Sequence, residues 1–130
     1  MLIVVHPWDL ARLDAKWDLL GRGHIDEVYE RHVQNVLRPY ILEYKEAPQR
    51  FVAYYLGLRE FRIHPAVEGL QDFVIYDGDG WDTTMWGLGI IYIDLVGYAE
   101  NLCVMSFYKE WKRKFRITIR HDMCLPTVGG

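Results

Sequence analysis

Met85 to Leu95, MWGLGIIYIDL, is the longest nearly apolar run in the chain. A run of this kind must be covered on every face that carries it, which restricts the chain to folds that bury it. Glycines at 87 and 89 and isoleucines at 90, 91 and 93 disfavour a helix and favour an extended segment. The pattern therefore predicts the central strand of a sheet, hidden above and below. Alternation places Trp86, Tyr92 and Asp94 on one face and Gly87 and Gly89 on the other. The two glycines would leave a notch that a packed helix, an aromatic ring or a small ligand could enter.

The segments before this run read mostly as helix. Leu2 to Val5 is a short strand or an extended lead-in. Leu10, Leu13, Trp17 and Leu20 recur at helical spacing until Gly21 and Gly23 end the pattern. A second stripe begins near His24 and runs through Val28, His32 and Val36. It must kink or restart at Pro39 and stops at Ala47-Pro48.

Alternation then replaces the helical period. Arg50 to Leu58, Arg59 to His64 and Phe73 to Tyr76 read as strands, and Asp77-Gly-Asp-Gly80 as a hairpin connection into Trp81. Leu102 to Tyr108 and Phe115 to His121 are expected to pair across Lys109 to Lys114. The expected fold is α+β, with two or three N-terminal helices on a mostly antiparallel, curved sheet of about five strands. A single domain spans residues 1–130. In order, helices followed by a curved antiparallel sheet is similar to the nuclear-transport-factor-2-like architecture, a likeness carried by no motif.

Composition narrows the function classes. A net charge of -3 argues against a surface built as one nucleic-acid footprint. Two cysteines, Cys103 and Cys124, are too few for a secreted disulfide scaffold and fit a reducing cytoplasm. No run is long enough for a membrane span, so no membrane association is expected. Gly-rich phosphate loops, CxxC pairs and nucleophile elbows are absent, so no cofactor is implied.

The candidate chemistry is correspondingly thin. Asp77, Asp79 and Asp82 lack the closing ligands of a calcium loop and read as a solvated turn, and the five histidines have no zinc spacing, so no metal is expected. Asp94, if buried, would have a raised pKa and could act as an acid or base beside Tyr92 or His64. The basic stretch offers Lys112, Lys114, Arg116 and Arg120, either to a partner or as charges guarding an edge strand.

Nine tyrosines and five tryptophans favour an interaction protein, self-associating as a homodimer or binding a macromolecule through exposed aromatics and this basic edge. A protein partner is favoured over nucleic acid. The alternative is a small-molecule-binding or enzymatic pocket at Trp86, Gly87 and Gly89 that uses Asp94.

Overall fold

Every residue of Leu2–Val5 (β1) is buried, and the strand is hydrogen-bonded to a neighbour on each side. The computed structural model, which describes residues 1–9, 24–48 and 50–125, builds its sheet outward from this strand. Val52–Gly57 (β2), Phe73–Tyr76 (β3), Tyr92–Tyr98 (β4) and Arg116–Leu125 (β5) join it in the order β3-β2-β1-β4-β5. All four pairings are parallel.

Parallel neighbours cannot be joined by hairpins, so each connection crosses over a face of the sheet. The first crossover contains His24–His32 (α1), a π-helical turn at Val33–Leu37 and Arg38–Lys45 (α2). Pro39 falls in the first turn of α2, where its missing amide hydrogen does no harm, directly after the π turn. Trp81–Gly87 (α3) joins β3 to β4. Met105–Trp111 (α4), entered through a π-helical turn at Glu100–Val104, joins β4 to β5.

Alternation along β1 supplies two cores. Leu2 and Val4 pack with Tyr29, Val33, Leu37 and Ile41 from the first crossover. Ile3 and Val5 pack on the opposite face with Trp81, Met85, Val104 and Phe107. Connections on the β3 side of β1 cover one face and those leading to β4 and β5 cover the other. The result is a doubly wound α/β domain that changes direction between β1 and β4.

This overturns the α+β expectation and the likeness to the nuclear-transport-factor-2-like architecture. The decisive segment is Met85 to Leu95, only part of which is strand. Trp81 and Met85, one helical turn apart, bury the inner face of α3, while Trp86 stays 46% exposed. The two glycines end this helix and do not notch a sheet. Gly89 has φ +77°, its amide donates to Trp86 O (3.0 Å), and the Ile90 amide donates to Met85 O (2.9 Å). That pair of bonds is a Schellman C-cap, with Ile90 packed into the same core as Met85. Gly87 lies in α3, and among the described residues nothing comes within 4 Å of where its Cβ would be.

Other expectations resolve similarly. Leu102 to Tyr108 is helical, not a strand, and Arg59 to His64 contributes only an isolated bridge, Ile63 to Trp8. The Asp77–Gly80 turn leads from β3 into α3, not into a hairpin, with Asp79 accepting from the amides of Tyr76 (2.9 Å) and Trp81 (3.0 Å). Starts near His24 and stops before Ala47-Pro48 agree with α1 and α2. The stripe from Leu10 to Leu20 and the tail from Pro126 lie outside the described residues.

Candidate ligand-binding cleft

A parallel sheet brings the carboxyl ends of all its strands to one edge, and an open doubly wound sheet leaves a crevice there at its switch point. Here that edge carries His6 after β1, Tyr55 and Gly57 at the end of β2, and Asp77 after β3. The helical stretch after β4 adds Cys103, Ser106, Phe107 and Glu110, spaced at i, i+3, i+4 and i+7 and thus on one helical face. An inner lobe of about 210 Å³ is bounded by His6, Tyr55, Cys103, Ser106, Phe107 and Glu110. Tyr55 and Glu110 also border an outer lobe of about 440 Å³, which extends to Asp77, Trp81, Asp82 and Trp111.

His6 is held in a conformation few side chains adopt, with φ +53°. Its amide donates to Tyr55 O (2.9 Å), and its ring stacks on Trp8 with centroids 3.9 Å apart. The fully buried Tyr29 hydroxyl lies 2.8 Å from His6 O and 3.0 Å from Trp8 O, while Trp8 Nε1 donates to Leu56 O (3.0 Å). These bonds over-determine the turn, as a strained functional position requires.

His6 is 8% exposed, and its Nδ1 has no hydrogen-bond partner among the described residues. Burial lowers its pKa to about 3, outweighing the opposing effect of the Tyr98 backbone, so the ring is neutral at physiological pH. Burial also raises the pKa of the Cys103 thiol and of the Tyr55 hydroxyl, the latter further raised by its hydrogen bond to Asp77. Tyr55 therefore donates to Asp77 Oδ1. Among the described residues, the uncharged groups include the His6 imidazole, the Cys103 thiol, the Ser106 hydroxyl and the Tyr55 and Tyr76 phenols; the formal charges are the carboxylates Asp77, Asp82 and Glu110.

The residues expected from sequence lie elsewhere. Asp94 pairs in register with Leu2 at the amino end of the sheet, 3.6 Å from Arg120, in a depression shared with Tyr40, Tyr44 and Arg50. Tyr92 is 60% exposed beneath the Arg116 guanidinium, 5.7 Å from its ring centroid. His64 is buried near the other end of β1, where its amide donates to Pro7 O (2.8 Å). Its Nδ1 accepts from the Ala66 amide (3.0 Å), so Nε2 carries the proton toward Glu30 (2.7 Å). The structure thus does not bring Asp94 and His64 together.

In the basic stretch, Lys114 pairs with Asp82 (2.5 Å) and Lys112 lies 5.8 Å from the Tyr108 ring centroid. Lys112, Lys114, Arg116 and Arg120 are all exposed. The helical spacing from Cys103 to Glu110 is the signal that sequence reasoning misses when Leu102 to Tyr108 is taken as a strand.

Cys103 and Cys124 are both free thiols. Among the described residues, no group of three or more His, Cys, Asp or Glu is placed to hold a metal ion, and no helix is long and apolar enough to cross a membrane. No protein-family model, curated protein or solved structure matches the chain.

Proposed function

We propose that the chain is a small-molecule-binding α/β domain whose site is the two-lobed cleft at the carboxyl edge of the sheet. The observation that carries this reading is convergence: strained His6, Tyr55, Cys103 and Glu110, from three different strand ends and their following helix, border one cavity at the switch point. Sheets of this type bind ligands there because strand ends and loops supply polar groups while the rigid sheet holds their spacing.

A fragment screen followed by amide chemical-shift mapping tests it. Hits are expected to perturb His6, Tyr55, Cys103 and Glu110 together, and Ser106→Trp, which fills the inner lobe from an exposed position, should abolish those shifts without lowering Tm. Hits that gather at the Asp94 depression, or that survive Ser106→Trp unchanged, overturn the reading.

A second reading, self-association, is favoured by a separate observation. Trp86 near the end of α3, Leu88 just after it and Tyr92 at the start of β4 are 46%, 54% and 60% exposed, with Arg116 over the Tyr92 ring. Exposed aromatics next to arginine are the side chains that anchor interfaces. Light scattering is expected to give a dimer that Trp86→Ser dissociates; a monomer in the wild type removes this reading.

A further inference from the structure

The outer lobe combines features that the small-molecule reading leaves unassigned. Three carboxylates border it, Asp77, Asp82 and Glu110, and among the described residues no lysine, arginine or histidine does. Lys114 offsets one of them by pairing with Asp82. Asp77 accepts from the neutral Tyr55 hydroxyl, which leaves its formal charge in place. Glu110 is exposed at the junction of the two lobes and has no ion-pair partner among the described residues.

The remaining walls are aromatic: Tyr55, Tyr76, Trp81 and Trp111. Aromatic faces carry negative quadrupolar charge and attract cations, so rings and carboxylates act in the same direction. The Tyr76 ring already faces one cation, the Arg59 guanidinium 4.5 Å from its centroid, which leaves Tyr55, Trp81 and Trp111 as the rings for a ligand. The inner lobe is lined in part by His6, a buried side chain whose Nδ1 is unpartnered among the described residues, and the described lining supplies no lysine or arginine to oppose a cation.

Resting on the small-molecule reading above, we infer that the cleft's ligand is an organic cation, an amine or ammonium group attached to a flat or apolar body. The body would lie against the aromatic walls of the outer lobe, and the cationic head would sit between Asp77 and Glu110. An anionic ligand would meet uncompensated carboxylates on both sides of the junction. A neutral ligand would gain from the rings but nothing from the charges.

Three probes sharing one ring and differing in charge isolate the claim: benzylammonium, benzyl alcohol and benzoate. Each is titrated into the wild-type protein and into Glu110→Gln, with amide shifts as the readout, at low and at high salt. Benzylammonium is expected to bind at least about tenfold more tightly than the other two, a gap equivalent to about 1.4 kcal/mol. The gap should narrow in Glu110→Gln and with added salt. Because Glu110 is exposed, its replacement should leave the melting temperature unchanged, which separates lost binding from lost folding.

If benzyl alcohol or benzoate binds the cleft as tightly as benzylammonium, the cation inference is overturned and the small-molecule reading stands. The inference is overturned equally if none of the three binds while the fragment screen finds other cleft ligands. If the screen also leaves the cleft unperturbed, both fall.

Discussion

Gly97→Ala is expected to yield no stably folded protein. A Cβ at this position would lie 2.3 Å from Val5 O, 2.7 Å from Val5 N and 3.0 Å from Val5 C. All three are backbone atoms of the central strand, so no side chain can swing aside to make room. Gly97 also has φ +125°, which an alanine adopts only under strain. Val5 and Gly97 are paired in register, so relief means prising β4 from β1 at the switch point. A cost of more than about 4 kcal/mol is expected, comparable with the whole stability of many domains. Soluble yield and the thermal unfolding transition measure it. Gly87→Ala is the control: that residue lies in α3, an added Cβ meets none of the described residues within 4 Å, and alanine there should be neutral or stabilising by up to about 1 kcal/mol. A cooperative Gly97→Ala protein melting within a few degrees of wild type would contradict the β1–β4 geometry.

Acid should destabilise the fold well before its carboxylates are all protonated, and His6 should account for much of the loss. Its folded pKa of about 3 lies below the ordinary histidine value of 6.5. The unfolded chain therefore binds a proton through that interval while the folded chain does not, and the unfolding free energy falls as pH falls. The contribution is intact above about pH 6.5, declines below it and is exhausted near pH 3. Its full extent is on the order of 4–5 kcal/mol, of which about 2–3 kcal/mol is lost by about pH 4.5. His32 is also lowered by burial, which the Met123 backbone opposes, and adds in the same direction. Urea unfolding at about pH 7 and about pH 4.5, for wild type and His6→Asn, isolates the first histidine. Asparagine tolerates positive φ, so the substitution removes the titration with little added backbone strain. The variant should show a stability–pH slope smaller by about one proton; equal slopes would mean that His6 is not held neutral.

Much of the secondary structure is legible one segment at a time. Phe73 to Tyr76, four β-branched or aromatic residues in a row, is β3, while Arg50 to Leu58 contains β2. Pro39 marks the break between the π turn and α2. The misreadings have particular causes. Apolar residues from Met85 to Leu95 belong to two elements in series, the buried side of α3 and the start of β4, so the pattern suggests one long strand where a helix, a cap and a strand occur. Only the cap geometry of Gly89 separates them, and glycine two residues from glycine is equally at home in a strand notch. Leu2 to Val5 looks marginal in sequence because it is only four residues long. Its rank as the middle strand comes from what lies on either side of it.

The candidate cleft is less legible still. His6, Tyr55, Asp77, Cys103 and Glu110 are far apart in the chain and share no motif. Asp94 stands out as the lone charge in an apolar run, yet its register with Leu2 places it toward the amino end of the sheet.

Sequence alone determined that the chain must bury several short apolar segments, and where the helices of the first crossover start and stop. Those properties depend on neighbours within a few residues. Tertiary structure decided that the strands run parallel, that β1 lies at the centre, and that five distant side chains meet at one edge. Strand direction is set by how each crossover covers a sheet face, through contacts between segments tens of residues apart, and no local pattern carries that information.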